Sequence, residues 1–186
     1  MTHAATYGDF AELSQEQGFE GLTIVFSPTS ISVKERWKNN RLSADFMGDY
    51  FATFCPVEDS EIPTRRDEVK SVVRYVANEL IENAMKFTDV EAIPISIQLT
   101  MQAGELLFCA KNGASEKNAG KYQATVQTLL TADLWAEYEK RASAIGKGSG
   151  MGLLSMLTDY AARIGWRFAP QDGLRYLVTT TVRIPL

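Results

Sequence analysis

The feature that most constrains this chain is an apolar stripe in its middle. Val69, Val72, Val73, Val76, Leu80, Ala84 and Phe87 recur at helical spacing. A segment with that period buries one side and wets the other, so it needs a layer to lie on. Thr64 is placed to cap the helix, with Asp67 three residues on. The layer follows directly. "ISIQLTM" (95–101) alternates strictly, "QAGE" (102–105) turns, and "LLFCA" (106–110) returns, which predicts a hairpin. "WRFAP", the turn "QDGL" and "RYLVTTTVRIPL" predict a second hairpin at the end.

The remaining segments fill in around that frame. Residues 1–18 are polar and read as a flexible tail. "GLTIVFSP" (21–28) reads as a strand ending at Pro28. Residues 32–54 read as a helix with Trp37, Leu42, Phe46, Tyr50 and Phe54 on the buried side, and 55–66 as a linker. After a polar stretch comes a helical segment within 111–145. "LLSMLTDYAARI" (153–164) reads as another helix, with Leu153, Leu157, Tyr160, Ala161 and Ile164 inward and Gly165 as its stop. The expected fold is α+β: a two-layer sandwich with a mixed, mostly antiparallel sheet and helices on one face.

Composition narrows the function. A net charge of -4 lacks the basic excess of a nucleic-acid binder. No apolar run approaches the roughly 20 residues of a membrane span, and the start lacks a secretory pattern. Cys55 and Cys109 have no metal-ligand spacing and read as buried thiols of a reducing compartment. The expected location is the cytoplasm. The one histidine is His3, which excludes chemistry resting on an internal histidine.

Two motifs carry chemistry. In "AIGKGSGMGLLSM" (144–156), Gly146, Gly148, Gly150 and Gly152 stand at alternate positions before a helix. Such a backbone approaches a ligand closely and aims N–H groups at an anion, with the helix dipole behind them. Lys147 and Ser149 add donors. A glycine hinge would look the same. No GxxxxGK[ST] is present, and no strand leads directly into the loop, so neither a P-loop nor a Rossmann turn is read here.

The second motif is "NELIENAMKF" (78–87). Asn83 lies only ~40° from the centre of the apolar stripe and Glu79 roughly 80°. Polar groups at the edge of a buried face need partners. Asn83 can offer its carbonyl oxygen to Mg²⁺, and Glu79 can accept a proton from a hydroxyl or water. Alternatively, Asn83 bonds core backbone and Glu79 is a solvated rim residue.

Together these stretches resemble the GHKL (Bergerat-fold) ATPase superfamily of gyrase, heat-shock chaperone, histidine-kinase and MutL-type domains. "ELIENAMKF" matches its asparagine box, "GKGSGMGLLSM" its second glycine box, and "IGW…DG…LVTTTVRIPL" its last two strands, over residues 64–186. The chain looks most like stand-alone serine kinases of bacterial partner switching and a related group of regulators. The resemblance implies ATP and Mg²⁺ as cofactors, with Asn83 holding the metal and Glu79 the base. It places Gly146, Lys147, Gly148, Ser149, Gly150, Met151, Gly152 and Leu153 around the phosphates, and Lys86 near them. It implies Thr179 on the adenine side and residues 113–145 as a lid. Gly113 falls in the first glycine box, where the aspartate position is Lys111; Asn112 offers an amide oxygen one residue on. Residues 63–186 would be the ATP-binding domain and 19–62 an extension packed on it or forming a homodimer. The implied partner is a STAS-type anti-sigma antagonist phosphorylated on serine. A second reading is a non-catalytic docking regulator of the same shape.

Overall fold

A computed structural model describes residues 3–12, 20–29, 33–55, 65–102, 104–143 and 151–186. The long stripe is helix α2 (Arg65–Phe87), with Val69, Val73, Val76, Ala77, Leu80, Ile81, Ala84 and Phe87 buried. Before it come β1 (Ala5–Gly8), β2 (Glu20–Phe26) and α1 (Val33–Ala52). After it come β3 (Ile95–Gln102), β4 (Glu105–Ser115), α3 (Glu116–Thr131) and α4 (Leu134–Ser143). The chain closes with α5 (Met151–Asp159), β5 (Arg163–Pro170) and β6 (Arg175–Pro185). The Thr64 cap and the 56–64 part of the linker lie outside the described residues.

The strands form one sheet in the order β1-β5-β6-β4-β3-β2. Every pairing is antiparallel, which corrects the expected mixed sheet. The axis is β4 against β6, in register from Glu105↔Pro185 to Ser115↔Arg175. Alternation sends Leu106, Phe108 and Ala110 of β4, Val178, Val182 and Ile184 of β6, and Ile164, Trp166 and Phe168 of β5 into one core with α2. The helices cover that face, as in a two-layer α+β sandwich. Among the described residues no helix is long and apolar enough to cross a membrane.

The start of the chain departs from the expected tail. β1 pairs with β5 from Ala5↔Phe168 to Gly8↔Gly165. Gly8 takes φ 64°, and the chain then turns onto the sheet's other face. There Phe10 lies against the bare Gly165, Asp9 pairs with Arg183 at 2.6 Å, and Glu12 pairs with Arg167 at 2.7 Å.

α1 also differs from expectation. Its buried face is Asn40, Ala44, Met47 and Phe51. Leu42 is 65% and Phe46 55% exposed, and Phe54 is exposed too. The side chain of Trp37 lies outside the described residues. The reason is closeness. A Cβ on Gly48 would come within 2.5 Å of Arg74 Cγ and 2.9 Å of Lys70 carbonyl oxygen, so only small residues fit at the crossing. Asp45 bonds Arg74 and Asp49 bonds Lys70 across it. α5 is shorter than expected. It ends at Asp159, Ala161 takes φ 49°, and Ile164 and Gly165 belong to β5.

Most of the expected lid is regular secondary structure. Gly113–Ser115 belong to β4, and Ser115 caps α3 by accepting the Asn118 N–H. Ala119, Tyr122, Val126 and Leu129 of α3 are buried. Tyr122 stacks on Phe87 with ring centroids 4.0 Å apart, and its hydroxyl accepts the Trp166 Nε1–H at 3.1 Å.

The two faces of α1 separate in a urea unfolding experiment. Phe51→Ala, at a fully buried site, should cost about 3–5 kcal/mol. Phe46→Ala should stay within about 0.5 kcal/mol of the parent. Equal losses would contradict the face assignment.

Candidate functional site

α2 sets the site. Tyr75, Glu79 and Asn83 follow at four-residue steps, and Lys86 comes three residues after Asn83, so they share one side of the helix. That side meets α5. The contact is closest at Gly152, where an added Cβ would overlap Oε2 and Cδ of Glu79 and come within 2.8 Å of its Cγ. Gly152 is therefore bare because the Glu79 carboxyl lies against the first turn of α5.

That placement sets the acidity of Glu79. Burial withholds water from the carboxylate, and the Glu82 carboxylate adds repulsion. Together they raise the pKa from 4.5 to about 6. The α5 dipole favours the anion by about 0.3–1 kcal/mol, too little to reverse burial. Glu82 also accepts a hydrogen bond from Asn78 Nδ2 at 2.7 Å. Asn83 is half-buried and Lys86 exposed, with Nζ 5.4 Å from the Phe87 ring centroid.

Two residues that the sequence did not single out complete the contact. Burial raises the pKa of the Tyr75 hydroxyl, and the Ser155 side chain of α5 offsets part of that rise. The Tyr75 ring lies 5.3 Å from that of Tyr160. The available signal was spacing: Tyr75 stands one turn before Glu79. On its other side Tyr75 lines a groove between α1 and α2, about 480 Å³ in volume, with Arg41, Asp45, Arg74 and Glu82.

The strand candidates divide by face. Alternation in β4 points Asn112 toward the helices and leaves Lys111 exposed on the other face. Asn112 is 2% exposed, and its Nδ2 has no hydrogen-bond partner. Thr179 pairs with Lys111 and shares its face, away from Glu79 and Asn83. This corrects its expected placement. The threonine on the helix side is Thr180, whose Oγ1 lies 3.4 Å from Tyr122 Oη. Gly113 has a packing reason to be bare, since a Cβ there would come within 2.5 Å of Ile93 Cβ. Asp89 secures the same end of β4, accepting the Ser115 N–H at 2.6 Å and its hydroxyl at 2.5 Å.

The glycine run is only partly in view. Gly146, Lys147, Gly148, Ser149 and Gly150 lie outside the described residues. Met151 packs on the core and the Leu153 side chain is buried in it. Among the described residues no cluster of three or more His, Cys, Asp or Glu is placed to hold a metal. The side-chain oxygens that a cation would meet on this side of α2 are those of Asn83 and Glu79. Cys55 and Cys109 are buried free thiols, and burial pushes Cys109 up to about 11.

No protein-family model matches this sequence, and no curated protein matches it.

The raised Glu79 pKa has a thermodynamic signature. A carboxyl held above its unfolded value binds its proton more tightly in the folded state. Its destabilising effect is absent below pH 4.5 and grows as pH rises through about 6. Glu79→Gln should therefore be more stable than the parent at pH 7.5, by about 1 kcal/mol after discounting for solvent screening. The gap should close at pH 4.5. Urea midpoints at the two pH values measure this, and a gap independent of pH would refute it.

Proposed function

We propose that the protein is a Mg-ATP-binding regulator of GHKL type, acting as a serine kinase-like ATPase on a partner protein. The observation that carries the reading is the Glu79 carboxyl, partly desolvated and lying against the first turn of α5. A carboxyl with a pKa of about 6 is mostly ionised at neutral pH and accepts a proton more readily than an ordinary glutamate. On this reading Glu79 takes the proton of the attacking hydroxyl, or of water when no acceptor is bound. Asn83 supplies the metal ligand, and the backbone at the start of α5 faces the phosphates. Mg-ATP, when bound, supplies the transferable phosphoryl group. The missing Cβ of Gly152 makes room for the Glu79 carboxyl at the start of α5.

The proposed partner is a protein bearing an acceptor serine, of the STAS-type antagonist class that the resemblance implies. The exposed Leu42 and Phe46 of α1, with Phe54 just after it, make a homodimer part of the same proposal. A docking regulator without turnover is the second reading. It is favoured by Asn112, whose buried carboxamide stands among packed side chains.

Calorimetric titration separates the two. Mg-ATP should bind the parent and Glu79→Gln alike, Asn83→Ala should show no binding, and phosphate release should be lost in Glu79→Gln. No binding by the parent at millimolar Mg-ATP would remove the kinase reading, and full turnover in Glu79→Gln would remove Glu79 as the base.

A further inference from the structure

The outer face of the sheet, turned away from α2, carries its own charge pattern. β5 and β6 contain Arg163, Arg167, Arg175 and Arg183 and no acidic residue. All four stand at odd positions in one continuous register, so they share the face opposite Trp166 and Val182. Arg163 stands directly across from Arg183, and like charges so placed repel. Arg167 stands beside Thr179, and Thr179 beside Lys111. The net charge of the chain is -4, so this cationic face runs against the general balance.

The segment after β1 answers that pattern. Asp9 pairs with Arg183 and Glu12 with Arg167. The Asp9 N–H donates to the Ile164 carbonyl at 2.9 Å, and the Ala11 N–H to Thr181 Oγ1 at 3.2 Å. Gly165 is bare beneath it, since a Cβ there would come within 2.1 Å of the Phe10 nitrogen. The floor is buried and the cover is shallow. Gly165 and Thr181 are buried, while none of residues 3–12 is. Both ion pairs are partly exposed at each end, and such pairs are weak and screened by salt. β1 adds four residues of edge pairing and the contact of Tyr7 with Phe168. Among the described residues Arg183 Nε is buried without a hydrogen-bond partner, so this cover leaves one donor unanswered.

We infer that the outer face of β5 and β6 is a docking surface for an extended acidic segment of a partner protein, and that residues 5–12 are its resident occupant, which the partner displaces. Pairing along the edge of β5 uses backbone groups and accepts many sequences. Two acids three residues apart, beyond a glycine, supply the selectivity through Arg183 and Arg167. The resident segment is tethered and competes at a high effective concentration, so a partner gains the surface when the arm is loosened. The surface lies across the sheet from Glu79 and Asn83, so the inference stands or falls apart from the nucleotide reading.

The test uses the full chain and a fluorescein-labelled peptide of residues 5–12, "ATYGDFAE". Asp9→Lys combined with Glu12→Lys turns both arm charges against Arg183 and Arg167. By fluorescence anisotropy this double variant should bind the peptide at least about tenfold more tightly than the parent, whose own arm holds the surface. A peptide with Asn and Gln in place of the two acids should bind the double variant at least about tenfold more weakly than the acidic one. Equal affinity of parent and double variant, undetectable binding by both included, would overturn the inference. So would equal binding of the two peptides, because the arginines would then select nothing. Should the double variant fail to fold, Asp9→Asn with Glu12→Gln makes the same comparison.

Discussion

The structure depends on the burial of one side of α2 against β3 and β4. From Val69 to Phe87 the helix gives its apolar side to the sheet, and no other helix among the described residues spans as much of the core. Once that side is fixed, the rest of the helix has little freedom. α1 must cross at Gly48, where nothing larger fits, and α5 must come to the other flank, where Glu79 and Asn83 emerge. At the end of the helix Phe87 meets Tyr122, which ties the second layer together through Trp166 and Thr180. The candidate site is a product of the same packing. Glu79 is half-shielded because it stands where the buried side gives way to the contact with α5.

Much of this was legible in the residue pattern. The α2 stripe, the alternation through β3 and both hairpins are local signals, and local signals survive folding when tertiary contacts agree with them. The Glu79–Asn83 spacing was legible for the same reason. A helix of known phase says which side chains share a side, wherever the helix is packed.

What was missed needed long-range information. α1 offers two competing stripes, one aromatic and one of Asn40, Ala44, Met47 and Phe51. The close crossing with α2 selects the second, and only the partner helix shows how close the crossing is. β1 has four residues and no pattern of its own; its identity comes from β5. Thr179 and Thr180 are neighbours in a run of three threonines, so the sequence cannot say which faces the helices. A shift of one residue in a strand reverses the face, and the β4–β6 register settles it. The same parity puts Asn112, and not Lys111, on the helix side.

Sheet order bears on how this protein is divided. The sequence motifs fall between residues 64 and 186, which invites excision of that segment as a unit. Yet β1 and β2 are the two outermost strands of the sheet. A fragment starting at 64 would keep β5, β6, β4 and β3 and expose the hydrogen-bonding rows of β5 and β3, each a template for another chain. It would also uncover the flank of α2 that α1 occupies. In the full chain β1, β2 and α1 cover those margins.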